Sequence, residues 1–107
     1  MVSQIHPTQL KQMLDAGAPV MLLDVRQPEE HAICVLPGSV LIPLGELPTR
    51  VGEVDAGEAL VVVYCHHGVR SLSGAAILSG AGLPSVASLS GGIDAWSQLV
   101  DPAVPRY

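Results

Sequence analysis

The chain has 107 residues, 49% of them hydrophobic and 14% charged, which gives room for one compact core and excludes a disordered, solvating polypeptide. Its formal net charge of −5, with five Lys and Arg residues in no cluster, argues against a nucleic-acid partner, whose binding needs phosphate neutralisation. Two cysteines, Cys34 and Cys65, are too few for a disulfide scaffold and lack zinc-knuckle spacing.

No repeat, linker or low-complexity tract divides the chain, so residues 1–107 are expected to form one domain. "VSQI" predicts a short first strand. Pro7 then suits a first helical position, Leu10, Met13 and Leu14 share a face, and Gly17 can end the helix. "VMLLDV" is a continuous apolar run, as a strand buried on both faces requires. "PEEHAI" predicts a short helix with Glu29 and Glu30 in its first turn, where the helix dipole favours acids. After an "LPGS" turn, "VLIPL" is another strand candidate. In "GELPTRVGEV" and the leucine before it, Leu44, Leu47, Val51 and Val54 make a helical stripe. "ALVVVY" is the clearest strand. The spacing predicts a helix over residues 70–81 with Leu72, Ala75, Ala76 and Ser79 on one side, closed by Gly82, Leu83 and Pro84. "SVASL" is a last strand and "GGIDAWSQLV" begins a last helix. Strands alternating with helices imply a three-layer α/β domain, with about five mainly parallel strands and helices on both faces.

The longest apolar run, residues 59–65, is far shorter than the roughly 20 residues that span a bilayer. "MVSQIHPTQLKQML" has no basic segment ahead of an apolar one. No membrane partner and a cytoplasmic location are expected.

In such sheets, ligands sit beyond the carboxyl ends of the strands. Three of those ends carry polar or reactive residues: "DVR", "CHHGVR" and "SGG". If residues 65–70 curl between strand end and helix start, their N–H groups point inward around the Cys65 sulfur, and the helix N-terminus adds positive potential. Such surroundings favour a thiolate and a negatively charged adduct on it. Gly68 suits the positive φ of a tight amide ring, and Arg70 offers a cation to an oxyanion. Asp24 and Arg26 either pair with neighbours or contact substrate. Cys34 reads as core filler, set before a strand and so near the opposite edge of the sheet from Cys65. The adjacent His66 and His67 rarely converge on one ion, and no four-ligand set accompanies them, so no metal is expected. Trp96 reads as a core anchor.

Taken together, these segments resemble the rhodanese domain, the single-domain sulfurtransferase family. "LLDVRQPEEH", "LPGSVLIPLGEL", "VVVYCHHGVRS" and "LSGGIDAW" are similar to its hallmarks in order, and "DPAVPRY" is similar to its common endings. Cys34 and Val35 depart from the Gly-His that often precedes "IPGA", and His31 stands where an aromatic residue is frequent. The resemblance implies a five-stranded parallel sheet and a cysteine that carries a persulfide. Cys65 is then the nucleophile, and His66, His67, Gly68, Val69 and Arg70 form the cradle for the transferred sulfur. Asp24 and Arg26 support the site from beneath or beside it. The expected reaction moves a sulfane sulfur from thiosulfate or a related small anion to cyanide, a thiol or a protein, in two steps and with no cofactor. A dedicated persulfide carrier for a partner protein is the alternative. A cysteine-dependent phosphatase is disfavoured, because its loop places five residues between Cys and Arg and four intervene here.

Overall fold

A computed structural model describes residues 2–107. Five strands form one parallel sheet: β1 (Gln4–Ile5), β2 (Val20–Asp24), β3 (Val40–Leu41), β4 (Leu60–Tyr64) and β5 (Val86–Leu89), in the order β1-β5-β4-β2-β3. The helices are α1 (Pro7–Asp15), α2 (Pro28–Ile33), α3 (Leu47–Arg50), α4 (Arg70–Gly80) and α5 (Gly92–Leu99). β4 is central because it is the most apolar run; it pairs β2 in register from Val20↔Leu60 to Asp24↔Tyr64.

Strand alternation sorts the core into two layers. Leu22, Val62, Tyr64, Ala87 and Leu89 face α1 and α5 through Leu10, Ile93 and Trp96. Leu23, Val25, Val61, Val63 and Cys65 face α3 and α4 through Leu47, Ala75 and Leu78. Each fully buried Val or Leu contributes about 1.5–3 kcal/mol relative to exposure. No helix among the described residues is long and apolar enough to cross a membrane.

Several local expectations shift. The first strand is two residues, and the third stops at Leu41 before Pro43, although Ile42 N–H still donates to Asp24 O at 2.9 Å. The stripe through Leu44 to Val54 forms only the four residues of α3 and a 3-10 turn, Val51–Glu53, because Gly52 interrupts it. Leu14 proves exposed, leaving Pro7 and Leu10 as the buried face of α1.

α4 buries Ser71, Gly74, Ala75 and Leu78, whereas Ala76 and Ser79 face outward. The reason is close approach: a Cβ on Gly74 would lie 3.1 Å from Val63 Cγ1 and 3.3 Å from Val25 Cγ1. Small residues let this helix lie flat against the sheet, and hydropathy does not report that. Cys34 also differs from expectation. It caps α2 at the carboxyl end of the sheet, with Arg26 Nη1 4.0 Å from its sulfur. The two cysteines therefore sit on opposite faces of the sheet, in separate core layers.

Candidate active site

Cys65 follows the last residue of β4, and its sulfur lies beneath the turn that leads into α4. Gly68 N–H donates to Sγ at 3.1 Å and Ser71 N–H at 3.3 Å. Ser71 Oγ lies 3.5 Å from the sulfur and 2.7 Å from Ser88 Oγ, a buried hydroxyl pair behind it. The N–H groups of His66, His67, Val69 and Arg70 have no partner among the described residues. The loop is thus a ring of donors with spare capacity, set against the first turn of α4.

The ring keeps its shape because α5 grips its outer side. Ile93 N–H donates to Cys65 O at 2.9 Å and Asp94 N–H to His66 O at 3.1 Å. Those bonds turn the two carbonyls outward and leave amide hydrogens for the interior. The approach is close enough to demand glycine. A Cβ on Gly92 (φ 63°) would stand 2.5 Å from both carbonyl oxygens, and one on Gly68 (φ 90°) 2.8 Å from Gly91 N. This gives the "SGG" segment its place: it clamps the loop.

Arg70 is paired. Its Nη1 and Nη2 donate to the two Glu30 carboxylate oxygens at 2.7 and 2.8 Å. Glu30 also accepts from Gln27 N–H at 2.9 Å, closing a capping box, and from Tyr107 Oη at 2.9 Å. These donors, Arg70 foremost, hold the Glu30 carboxyl down at about 2. Tyr107 in turn accepts from Arg26 Nη1 at 2.9 Å, and burial is the main cause that pushes its phenol up to about 12.

Arg26 and Asp24 are fully buried and bonded side by side, Nε to Oδ1 at 2.9 Å and Nη2 to Oδ2 at 2.7 Å. His31 Nδ1 adds a contact to Asp24 Oδ2 at 2.8 Å. Both side chains lie on the α1/α5 face, away from the sulfur. Arg26 bonds the carbonyls of Glu30 and Cys34 as well. A chain of contacts therefore runs from Asp24 through Arg26, Tyr107 and Glu30 to Arg70.

His66 is stacked on Tyr107, rings 3.8 Å apart and 6° from parallel. Its Nε2 is buried without a hydrogen-bond partner, and burial, with His67 adding to it, lowers its pKa. His67 and Val69 are exposed. His66, His67 and Asp94 bring ligand atoms within 4.8 Å of one another, a grouping the spacing of two adjacent histidines did not suggest. Asp94 already accepts from Arg106 at 2.8 Å and Gln98 at 2.8 Å. The two imidazoles lie face to face, 3.8 Å apart and tilted by 31°.

Comparison with known proteins settles the family. The sequence model of the rhodanese-like domain matches residues 6–99. The chain belongs to that family. A probable adenylyltransferase/sulfurtransferase of Mycobacterium tuberculosis is 35% identical over 106 residues, which cover 98% of this chain and 27% of that protein. The chain thus spans about a quarter of that relative's length. A sulfurtransferase of Allochromatium vinosum is 36% identical over 104 residues, covering 97% of this chain and 96% of that one. The crystal structure of a rhodanese-related protein from Thermoplasma volcanium superposes with a TM-score of 0.84 at 28% identity, covering 98% and 99% of the two chains.

Within this rhodanese-like domain, the residues singled out in the sequence fall into two groups. His66, His67, Gly68, Val69 and Arg70 surround Cys65, whereas Asp24 and Arg26 reach the loop only through Glu30 and Tyr107. Four further participants were missed: Glu30, Ser71, Ser88 and Tyr107. Glu30 was visible only as a first-turn acid, and its second partner lies forty positions away. Ser71 closes the "VVVYCHHGVRS" segment and Ser88 lies in "SVASL", but nothing in either segment marks the hydroxyl as a partner of the sulfur.

Proposed function

We propose that this domain transfers sulfane sulfur through a persulfide on Cys65. Its membership of a family with sulfurtransferase relatives supports sulfur transfer as the general activity. The observation that carries the specific assignment is the pair of N–H groups aimed at Sγ from Gly68 and Ser71, with further unpartnered amides in the same ring.

Negative charge on the sulfur meets those dipoles at no reorganisation cost. The Cys65 thiolate attacks the outer sulfur of thiosulfate or a related donor. A Cys65 S–S bond forms, the donor's S–S bond breaks, and its electron pair leaves on sulfite. Residues 66–70 cradle the outer sulfur of the persulfide, which fits a ring built for one atom. Cyanide, a thiol or a protein thiol then attacks that sulfur, and the electron pair returns to Cys65. Two half-reactions sharing one covalent intermediate give ping-pong kinetics. Cys65 is only 1% exposed, so donor and acceptor meet the sulfur through the ring. Asp24 and Arg26 serve as supports that hold Glu30 and Tyr107.

Intact-mass measurement after thiosulfate treatment tests the scheme. One added sulfur is expected on the wild-type chain and none on Cys65→Ser. An unchanged wild-type mass with every sulfane donor tried would end this assignment.

A further inference from the structure

All five Lys and Arg side chains are paired with carboxylates: Lys11 with Asp15, Arg26 with Asp24, Arg50 with Glu46 and Glu53, Arg70 with Glu30, and Arg106 with Asp94. The arginine of the active-site loop is no exception. Glu30 grips it with both oxygens, and Gln27 and Tyr107 fix those oxygens in place. Among the described residues no unpaired Lys or Arg faces the mouth of the ring, on a chain whose net charge is −5.

We propose that Glu30 sets the donor class of this site: by neutralising Arg70 it favours the persulfide of a thiol, with at most one negative charge, over dianionic thiosulfate. The proposal rests on the Cys65 persulfide reading above and narrows it. Only the transferred sulfur enters the ring, so the rest of the donor stays at the mouth. For thiosulfate that remainder is the sulfonate group, which needs a cation. For a thiol persulfide it is a thiol carbon, which needs none. The step balances without a further reactant. The Cys65 thiolate attacks the outer sulfur of R–S–SH, the new S–S bond forms, R–S⁻ leaves with the electron pair, and the proton stays on the transferred sulfur.

The test follows the second-order rate of sulfur addition to Cys65 by intact mass, with thiosulfate and with 2-mercaptoethanol persulfide as the two probes. On the wild-type chain, added salt leaves thiosulfate loading level or speeds it, since an acidic surface repels a dianion. A mouth with a working cation would instead slow as salt rises, and that result overturns the proposal without any variant. Glu30→Gln releases Arg70 and moves the rate ratio toward thiosulfate by about tenfold at low salt, the lower range of electrostatic rate effects. The shift collapses in high salt and disappears when Arg70→Gln is added. A ratio unmoved by Glu30→Gln, or a shift that survives Arg70→Gln, removes Glu30 from this role while sulfur transfer stands. Failure of both probes to load the wild-type chain removes the transfer reading and this proposal together.

Discussion

The two cysteines share a sheet end and a buried state, yet their surroundings are opposite in kind. Cys34 is the more exposed at 8%, against 1% for Cys65, so accessibility ranks them opposite to the proposed chemistry. Cys34 sits at the end of α2, where the helix presents carbonyl groups. The Arg26 guanidinium, 4.0 Å from its sulfur, is already shared among Asp24, Tyr107 and the carbonyls of Glu30 and Cys34 itself. Cys65 sits ahead of α4, where N–H groups point at the sulfur. On the proposed reading, the direction of the local peptide dipoles, rather than burial, is what makes Cys65 and not Cys34 the nucleophile.

The sharpest break of that contrast exchanges each sulfur for oxygen. Cys65→Ser is expected to abolish sulfur loading, whereas Cys34→Ser loads at the wild-type rate, both read by intact mass. Loading that depends on Cys34 would reverse the comparison. The surroundings of Cys34 should show their weight in stability instead. Asp24→Ala leaves the Arg26 cation buried with its main partner gone, at a cost of about 3–5 kcal/mol, seen as a lower denaturant midpoint. On the Cys65 side, Gly92→Ala places a methyl against two carbonyl oxygens at 2.5 Å in a left-handed backbone. Strain of about 1–3 kcal/mol is expected, with sulfur loading falling more than stability does, because the ring is what distorts.

The contrast also explains what could be read beforehand. The strands and their mainly parallel arrangement were legible because buried parallel strands are written as unbroken apolar runs such as "ALVVVY". The position of Cys65 was legible because strand, thiol, glycine and helix follow one another without a gap. The buried face of α4 was not, since close packing there selects Ser71 and Gly74, which no hydropathy pattern marks. Nor was the fate of Arg70. Glu30 and Tyr107 come to it from positions 40 and 37 residues distant, and only the folded chain brings the three together. For Arg26 the sequence left pairing with a neighbour and substrate contact both open, and the fold buries it against Asp24.

A smaller effect is expected at Tyr107. Tyr107→Phe keeps the ring stacked on His66 and removes the hydroxyl that links Arg26 to Glu30. A loss of about 0.5–1.5 kcal/mol follows for a hydrogen bond of this kind, measured by thermal or denaturant unfolding. Loading of Cys65 should persist, because the stack and the Glu30–Arg70 pair remain. Tyr107→Ala, which also removes the stack, should slow loading.

The smallest effect comes from Glu30, which, like Tyr107, touches both surroundings. Its carbonyl accepts from Arg26 on the Cys34 side, and its carboxylate holds Arg70 on the Cys65 side. Glu30→Gln keeps the first contact and discharges the second, so it probes mainly the Cys65 side and reaches Arg26 only through Tyr107. The sign follows from the depressed pKa. Arg70 lowers the Glu30 carboxyl from 4.5 to about 2 in the folded chain, so the unfolded chain binds the proton more readily. The stabilisation is complete above the ordinary carboxylate range near pH 4.5 and is lost as the pH falls toward 2. Arg70 is 35% exposed in this pair, and solvent screening reduces the gain to about 1 kcal/mol. Glu53 and Asp94 are also held below their usual ranges by Arg50 and Arg106. They shape the acid limb of both proteins and cancel in the difference between wild type and Glu30→Gln. That difference, from denaturant midpoints between pH 7 and pH 2, should be level above pH 5 and shrink below it. A flat difference throughout would mean that the carboxylate's charge contributes nothing to the fold, and that only its hydrogen-bond geometry matters around Arg70.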